Sequence, residues 1–468
     1  MADTVTEPRT DLIEKLVSLS KQRGFIFPSS EIYGGINAIY DFGPLGVRLR
    51  RNIKQSWYRR MVELRDDVEP IETSVIMNRN VWVASGHVAT FSDPLVDCLG
   101  KCQKRWRADH LADLRVERGK PADAAGCPEC GGRLTEARQF NLMFRTFLGP
   151  VADASAEVYL RPETAQGMFV NFTNVLNASR QRLPFGIAQQ GKSFRNEISP
   201  GNFIFRSREF EQMEMEYFVR PGEQDRWFEY WCSDRMDWYV DNLGLRRANL
   251  RLRAHAEAEL SHYATAASDV EYRFPFGWGE LEGIASRTDF DLTQHQKTSG
   301  RDLSYFDQAT NERFIPYVIE PAAGVDRILL TLMIDAYDEE EVRGEKRVVL
   351  RFHPDMAPFQ VAVLPLSKKA ELTEPARRLE HDLRRHFPTD YDETQAIGRR
   401  YRRQDEIGTP LAVTFDFDSL DDHAVTIRRR DDMTQVRVPI AELVPRIQEQ
   451  LDIMRSAAAR RAQGAVGP

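Results

Sequence analysis

Apolar residues recur at helical spacing in two segments near the start of the chain. Leu12, Leu16 and Leu19 lie on one side of a predicted helix that runs to Gly24. A longer amphipathic helix is predicted over residues 47–65, VRLRRNIKQSWYRRMVELR. Its apolar positions are Val47, Ile53, Trp57 and Met61. Each of these two helices therefore has one apolar face.

Farther along, the pattern changes from segment to segment. Residues 158–219 have the pattern of strands and turns around one helix, residues 222–265 are mostly helical, and residues 272–320 return to short strands. An acidic link, DEEEVRGEK, precedes a last part in which strands and helices alternate, which is typical of an α/β domain. Its elements are the strand FQVAVLPL, the helix ELTEPARRLEHDLRRHF, the strands PLAVTFDFD and HAVTIRRR, and the helix AELVPRIQEQLDIMR.

Two strands with unlike faces are predicted in residues 185–219, joined by a loop that contains Pro200 and Gly201. Because side chains alternate along a strand, one face is polar and carries a single ring. Its residues are Gln189, Ser193, Arg195, Glu197, Phe210, Gln212, Glu214 and Glu216. The other face of the second strand is apolar, with Met213, Met215, Tyr217 and Val219. The polar face either binds a ligand or is a solvated surface with incidental charges.

A third element, RFIPYVIEPAAGVDRILLTLMIDAY, begins with a strand that is predicted to end at Glu320. Small residues at 322–324 predict a turn where a ligand can approach the backbone, and an apolar helix follows. Arg327 lies in the first turn of that helix, and a helix start with a nearby arginine attracts phosphate. The alternative is an ordinary strand, turn and helix with a solvent-facing arginine.

Composition narrows the class of protein. Of the 468 residues, 42% are apolar and 29% are charged, which indicates a globular, soluble protein. No apolar run approaches the roughly 18 residues of a membrane span, and the first residues lack the pattern of a secretory signal. A cytoplasmic location without membrane attachment is therefore predicted.

The net charge of −7 argues mildly against a nucleic-acid partner, but a local basic patch can outweigh it. Such a patch is predicted in the last part, where Tyr401 and the arginines could stack on unpaired bases. The arginines are Arg399, Arg400, Arg402, Arg403, Arg428, Arg429 and Arg430. The alternative interpretation of these basic runs is a solvated face.

Four of the five cysteines form two close pairs, Cys98 with Cys102 and Cys127 with Cys130, whereas Cys232 stands alone. Close pairs in a cytosolic chain indicate metal more than disulfide. The second pair, CPECGG, is similar to a zinc knuckle, so the pattern predicts a structural zinc ion. The alternative is four free thiols in a surface insertion.

Several segments resemble class II aminoacyl-tRNA synthetases. FRNE followed by REF resembles their motif 2, and GVDR at the start of a helix resembles motif 3. The resemblance is closer to glycyl-tRNA synthetases of the homodimeric type, and it covers nearly the whole chain. Segments that carry it include GFIFPSSEIYGG, DFGPLGV, VWVASGH, FSDPLVD, RADHL, YLRPETAQGMFVNF, WGELEGIASRTDFDL, YVIEPAAGVDR and AIGRRYRRQDEIGTP.

This resemblance implies an α+β fold, with a class II antiparallel catalytic sheet flanked by helices and a C-terminal α/β anticodon-binding domain. The expected units are a catalytic domain at 1–350, a Cys-rich insertion at about 98–138, a helical insertion at about 222–270, an anticodon-binding domain at 351–460 and a flexible tail at 461–468. The implied activity is ATP-dependent formation of glycyl-adenylate and transfer of glycine to tRNA(Gly). The alternative is a non-catalytic nucleic-acid-binding relative on the same scaffold.

The resemblance also assigns residues to ATP. Arg195 is expected to bridge the α-phosphate and the glycine carboxylate, Arg327 to contact the γ-phosphate, and Glu280 to help hold Mg²⁺. Glu197 is expected to accept from the adenine amino group, and Phe210 to stack on adenine. The full implied set for ATP is Arg195, Asn196, Glu197, Phe205, Arg206, Arg208, Phe210, Glu280, Leu281, Gly324, Asp326 and Arg327.

Glycine has no side chain to bind, so selectivity is expected from carboxylates that hold its ammonium in a pocket that excludes a β-carbon. The implied glycine set is Arg107, Glu163, Phe210, Gln212, Glu214, Glu320, Ala322 and Gly324. Ala322 departs from the family, many members of which have serine there. Finally, the helix over 47–65 and a strand around Val68, Pro70 and Ile71 resemble motif 1, which implies a homodimer.

Overall fold

The computed structural model describes residues 11–153, 155–198, 201–261 and 263–464. Its centre is a seven-stranded sheet in the order β11-β12-β13-β16-β10-β9-β3. All neighbouring pairs are antiparallel except β3 with β9. These strands are β3 (Val68–Pro70), β9 (Phe185–Phe194), β10 (Glu209–Val219), β11 (Leu250–Ala254), β12 (Ala266–Phe274), β13 (Gly277–Thr288) and β16 (Tyr317–Gly324).

Smaller sheets surround this one. The pairs are β1 with β2, β7 with β8, β14 with β15 and β17 with β18, and β4 lies between β5 and β6. Their bounds are β1 (Ile26–Pro28), β2 (Tyr40–Phe42), β4 (Ser92–Asp97), β5 (Arg105–Arg107), β6 (Arg138–Asn141), β7 (Arg145–Phe147), β8 (Glu157–Tyr159), β14 (Tyr305–Asp307), β15 (Glu312–Phe314), β17 (Tyr337–Val342) and β18 (Glu345–Leu350).

Helices cover both sides of the central sheet. Those of the first part are α1 (Leu12–Arg23), α2 (Pro44–Tyr58), α3 (Arg79–Ala84), α4 (His87–Thr90), α5 (Leu111–Glu117), α6 (Ala165–Val170), α7 (Phe172–Ser179), α8 (Gln224–Asp237), α9 (Phe290–Ser299) and α10 (Val325–Ala336). The predicted opening helix and long second helix are confirmed as α1 and α2. Val47 was expected on the apolar face of α2 but is 54% exposed. Within the described ranges, no helix is long and apolar enough to cross a membrane.

The alternation along β10 separates a core from a polar surface, as predicted. Met213, Met215, Tyr217 and Val219 are fully buried and belong to one apolar cluster with residues of α2, α8 and α10. On the opposite face, Ser193 of β9 donates to Gln212 of β10 at 2.7 Å. β9 ends at Phe194, however, so Arg195 and Glu197 lie in the following loop rather than on the strand. Pro200 of that loop lies outside the described residues.

The prediction of a turn at residues 322–324 is wrong. β16 continues through Gly324, with Ala322 opposite Glu214 on β10 and Gly283 on β13. Pairing on both sides outweighs the poor strand propensity of alanine and glycine. The strand instead leads directly into α10, which begins at Val325 and so has Arg327 in its first turn, as predicted.

Other segments also differ from their predictions, and the reason is pairing between distant segments. The mostly helical stretch ends with a π-helical turn at Trp238–Asn242, and residues 250–254 form the edge strand β11. Arg251 on β11 binds Glu271 on β12 at 2.6 Å, which fixes the pair. The expected single helix within 158–219 is two helices, α9 interrupts the strands of 272–320, and the acidic link forms the hairpin of β17 and β18.

The last part contains a five-stranded sheet in the order β20-β19-β21-β22-β23. Its elements are β19 (Val361–Pro365), α11 (Ala370–Leu383), β20 (Thr389–Tyr391), α12 (Ile397–Ile407), β21 (Leu411–Phe415), α13 (Ser419–Asp422), β22 (Ala424–Arg429), β23 (Gln435–Pro439) and α14 (Leu443–Ala462). The predicted alternation of strands and helices is confirmed. The tail predicted from residue 461 begins inside α14, and residues 465–468 lie outside the described part.

Several arginines of the predicted basic patch are buried and take part in the fold. Arg428 binds both oxygens of Asp405, at 3.0 and 3.2 Å, and Arg347 of β18 binds the same carboxylate at 2.8 Å. Arg430 donates to the carbonyls of Gly408 and Phe352. These partners are far away in sequence, so the local run of arginines gave no sign of them.

The carboxylate of Asp405 is 1% exposed and neutralises two buried guanidinium groups. We expect Asp405→Ala to lower the free energy of unfolding by about 3–5 kcal/mol, because it leaves Arg428 buried without a carboxylate partner and Arg347 with only Glu340. Chemical denaturation followed by circular dichroism measures this change.

The matched control is Asp432→Ala, which removes the partner of Arg429 at the surface. Its expected effect is about 1 kcal/mol or less. Equal losses of stability in the two variants would contradict a structural role for the buried contact.

Candidate active site

A cavity of about 350 Å³ opens on the polar side of β10, β13 and β16. Most residues that the sequence assigned to ATP or glycine line it. They are Glu163, Arg195, Glu197, Phe205, Arg206, Phe210, Gln212, Glu214, Glu280, Leu281, Glu320, Ala322, Gly324, Asp326 and Arg327. Residues from five separate stretches of the chain therefore converge on one space.

One end of the cavity is cationic. Arg327 donates to the carbonyl of Phe205 at 3.1 Å and lies 3.3 Å from the carboxylate of Glu280. Its guanidinium group also lies 4.6 Å from the centre of the Phe205 ring. Arg327 lowers the pKa of Glu280. Arg206 lies nearby, 3.5 Å from the carboxylate of Glu197.

Arg195 lies between two aromatic rings. Its Nε donates to the carbonyl of Pro162 at 3.0 Å, and its guanidinium carbon is 5.3 Å from the ring of Phe210 and 5.6 Å from that of Phe91. The described residues provide no hydrogen-bond acceptor for its two terminal amino groups. A bidentate anion would satisfy them.

The other end of the cavity is acidic and more deeply buried. Glu214 accepts hydrogen bonds from the backbone and hydroxyl of Thr164. Glu163 lies 3.2 Å from Nε2 of His87, and Glu320 lies 2.6 Å from Arg287. Three carboxylates that line one end of a cavity are a suitable environment for an ammonium group.

The carboxylates at this end differ in pKa because their neighbours differ. Burial, with the charges of Glu320 and Glu163, raises the pKa of Glu214 to about 8. Burial also opposes the ionisation of Glu163, but His87 and Arg287 outweigh it and lower the pKa of Glu163. A bound cation would compensate the acidic cluster and favour the ionised form of Glu214.

Three residues assigned from the sequence do not line the cavity. Arg107 on β5 binds Asp93 at 3.0 Å and Asp109 at 2.7 Å. Arg208 donates to the carbonyls of Asn37 and Glu197, so it supports the loop that carries Glu197. The backbone amide of Asn196 donates to Leu142 at 2.7 Å. Each of these three residues has at least one partner more than ten positions away in sequence, and none of the three lines the cavity.

Other residues of the site were missed. Arg287 lines the cavity and binds Asp291 of α9 as well as Glu320, and His87 supports Glu163 from α4. Both lie in segments that carried the family resemblance, SRTDFDL and VASGH, which is the signal that pointed to them. Glu216 was recognised on the polar face but was not assigned to the site. His255 and Tyr263 line the cavity from the segment before β12, where no motif or spacing indicates a site.

Asp326 lines the cavity, but its carboxylate also contacts an arginine of α2. Arg50 of α2 lies 3.2 Å from its carboxylate. Burial raises the pKa of Asp326 to about 6, although Arg50 opposes the shift. The contact joins the start of α10 to α2 beneath Arg327.

The four paired cysteines meet in the small sheet of β4, β5 and β6. Their four sulfur atoms all lie within 4.8 Å of one another. The sulfur of Cys98 is 3.4 Å from that of Cys130, and the sulfur of Cys102 is 3.5 Å from that of Cys127. A Cβ on Gly100 would lie 2.9 Å from the backbone of Gly132, so two glycines permit the close approach of the two knuckles. None of the four forms a disulfide.

Two domain models match the chain. Residues 150–337 match the tRNA synthetase class II core domain (G, H, P, S and T), and residues 360–450 match the anticodon binding domain. In structure, the chain is similar to prolyl-tRNA synthetase from Cryptosporidium parvum complexed with L-proline and AMP. The TM-score is 0.66 at 13% identity, covering 98% of this chain and 82% of that one. This likeness supports the predicted α+β class II fold and says nothing of the substrate.

Sequence relatives are much closer. The chain is 55% identical to the glycine–tRNA ligase of Caldanaerobacter subterraneus subsp. tengcongensis, covering 94% of this chain and 98% of that protein. It is 55% identical to the glycine–tRNA ligase of Thermobifida fusca, covering 95% and 99%. It is 57% identical to that of Bifidobacterium longum, covering 92% and 90%. With such identity over nearly the full length of these proteins, the chain belongs to the glycine–tRNA ligase family of class II aminoacyl-tRNA synthetases.

Proposed function

We propose that this chain activates glycine with ATP in the cavity and then transfers the glycyl group to tRNA(Gly). In the first step, a carboxylate oxygen of glycine bonds to the α-phosphorus of ATP, and the bond to pyrophosphate breaks. In the second step, the terminal hydroxyl oxygen of the tRNA bonds to the glycyl carbonyl carbon, AMP leaves and the hydroxyl proton is released. The observation that carries this proposal is the juxtaposition of a cationic end and an acidic end in one cavity.

Arginines supply the charge stabilisation that phosphoryl transfer requires. Arg195 lines the cavity, and its free amino groups can bridge the glycine carboxylate and the α-phosphate. Arg327, with Arg206 nearby, suits the outer phosphates. Catalysis then rests on positioning and on neutralising charge that develops on the phosphate oxygens, without a protein nucleophile.

The adenine is proposed to stack on Phe210 and to donate its amino group to Glu197. Phe210 is half-buried beside Arg195, and the side chain of Glu197 is 9% exposed. The strand residues Leu281 and Gly324 complete the wall of this subsite.

The acidic end is proposed to hold the ammonium of glycine through Glu163, Glu214 and Glu320. Gln212, Phe210, Ala322 and Gly324 would line the same subsite. Ala322 lies between Glu214 and Gly283 in the sheet, so a methyl group replaces the hydroxyl that many relatives have there. Exclusion of larger amino acids then depends on the tight packing of the strands. Arg107 is proposed to act indirectly, because Asp93 and Asp109 engage its side chain.

Magnesium is proposed to accompany the triphosphate. The carboxylate of Glu280 is 48% exposed, beside Arg327 at the cationic end, and Asp269 lines the same cavity. Hard carboxylate oxygens with access to water and phosphate fit the preferences of Mg²⁺. The ion would neutralise charge on the phosphates that Arg327 and Arg206 also bind.

A structural zinc ion is proposed at Cys98, Cys102, Cys127 and Cys130. A tetrahedral ion with Zn–S bonds of about 2.3 Å has S–S edges of roughly 3.8 Å. The observed sulfur separations of 3.4 and 3.5 Å are close to that value, and all four lie within 4.8 Å. The ion would stabilise the insertion between β4 and β6.

The partner assignments follow from family membership and remain part of the proposal. The last part would contact tRNA, and α2 with β3 would contribute to a homodimer, since β3 is an edge strand of the central sheet. Because tRNA charging serves protein synthesis, we propose a cytoplasmic location. The proposed domains keep the predicted limits, 1–350 for catalysis and 351–460 for anticodon binding.

The alternative of a non-catalytic relative lacks support. Arg195, Glu197, Phe210, Glu280 and Arg327 all line the cavity. The relatives compared above, matched over nearly their full lengths, are named as ligases.

Arg195→Ala should reduce glycine-dependent exchange of pyrophosphate into ATP by at least about 10²–10³-fold, because it removes a donor that stabilises developing charge. The exchange assay measures the first step without tRNA. Arg301→Ala, an exposed arginine after α9, is the control for loss of one positive charge. Near-normal exchange by Arg195→Ala with an intact fold would refute its role.

Arg399→Glu should weaken tRNA charging and leave pyrophosphate exchange near normal. Arg399 is exposed on α12, whereas Arg400 and Arg428 are buried. A reversed charge there repels phosphate, so the KM for tRNA should rise, and more so at low salt. Arg385→Glu, an exposed position just after α11, controls for the change in net charge. An identical response from both variants would argue against an α12 contact with tRNA.

Purified protein should contain one zinc ion per chain by elemental analysis. Cys98→Ser and Cys130→Ser should each lower that content, since each removes a ligand. Cys232→Ser should keep it, because Cys232 lies buried elsewhere, in the main core. Metal-free wild-type protein, purified under reducing conditions with zinc supplied, would rule the site out.

A further inference from the structure

A fourth glutamate, the fully buried Glu216, lies behind the acidic end of the cavity. The register that pairs Glu214 with Ala322 and Tyr217 with Ile319 puts Glu216 directly opposite Glu320. Side chains of directly opposed residues lie on the same face of a sheet. One carboxylate oxygen each from Glu214, Glu216 and Glu320 lies within 4.8 Å of the others.

Glu216 differs from its two neighbours in having no partner. Among the described residues, neither of its carboxylate oxygens has a hydrogen bond, and its side chain is fully buried. Phe218, the next residue on its face, belongs to an apolar cluster with residues of α6 and α9. Glu216 therefore lies where the acidic pocket meets the hydrophobic core.

The charged groups that face Glu216 come from three neighbouring elements and its own strand. They are Glu214 on β10, Glu320 on β16, Arg287 on β13 and Asp291 on α9. Arg287 already binds Glu320 at 2.6 Å and Asp291 at 2.9 and 3.0 Å. No further cation among these groups is left to neutralise Glu216. Two opposed buried carboxylates without a shared counter-ion cannot both be ionised.

We infer that Glu216 is a neutral carboxylic acid that directs its proton to Glu320 and so positions Glu320 to receive the ammonium of glycine. Burial, and then the charge of Glu320, raise the pKa of Glu216 well above its usual value. Burial also raises the pKa of Glu320, but Arg287 binds Glu320 and opposes that shift, so Glu320 is the member of the pair with a cation beside its carboxylate. The inference rests on the proposed glycine site and adds a positioning residue behind it.

The test compares two substitutions in pyrophosphate exchange. Glu216→Gln keeps a hydrogen-bond donor without charge, so the KM for glycine should stay within about threefold of wild type. Glu216→Leu has similar volume but no donor, so the KM for glycine should rise about tenfold or more while the KM for ATP stays within twofold. Glu209→Leu, at the half-buried start of the same strand, controls for loss of a carboxylate.

Two outcomes would overturn the inference. If Glu216→Gln raised the KM for glycine as much as Glu216→Leu, Glu216 would act as an ionised ligand. If Glu216→Leu had no effect, Glu216 would have no positioning role. If Glu216→Leu fails to fold, the infrared difference spectrum between wild type and Glu216→Gln decides whether Glu216 is protonated. The carbonyl band of a protonated acid must be present in wild type and absent in the variant.

Failure of the proposed glycine site would be seen separately. Glu320→Gln and Glu214→Gln remove charges that the proposal assigns to the ammonium. If neither changed the KM for glycine, the glycine site itself would be misplaced. If both raised it while the Glu216 variants did not, only the role of Glu216 would fall.

Discussion

The buried contact of Arg287 with Glu320 and Asp291 is the interaction on which the acidic end of the cavity depends. It joins the end of β13 to β16 and to the first turn of α9. Without that guanidinium group, Glu320 and Asp291 would lose their buried cation and would also favour the protonated form. A buried ion pair of this kind adds little net stability, because desolvation offsets the attraction. Its value here lies in fixing where negative charge remains.

A charged pocket can lie on a hydrophobic core because side chains alternate along a strand. β10 presents Gln212 and Glu214 to the cavity and Met213 and Met215 to the core, both within four residues. Its neighbour β16 contributes small residues beside them. Alanine and glycine there leave room above the sheet, whereas larger side chains would fill the cavity. Site and core are therefore built by the same two strands.

The sequence predicted the parts of this arrangement that depend on local pattern. The two faces of β10, the start of α10 and the clustering of four cysteines all follow from spacing along the chain. Features that depend on distant partners were not predictable in this way. Arg428 is neutralised by Asp405, 23 positions earlier, and the strand β16 continues past Glu320 only because β10 and β13 flank it. The same limit explains Arg107 and Arg208, whose partners keep them outside the cavity wall.

The burial of several arginines changes how the last part can contact RNA. Asp405 binds Arg428 of β22 and Arg347 of β18, so a charged layer ties the last sheet to the hairpin that follows α10. Gly408 packs against Phe352 in the same layer, where a Cβ would lie 2.4 Å from the ring. These arginines are engaged in folding and are not available to phosphate. The net charge of −7 offers no overall attraction for a polyanion, so contact with RNA would depend on cations that remain exposed, such as Arg399 on α12.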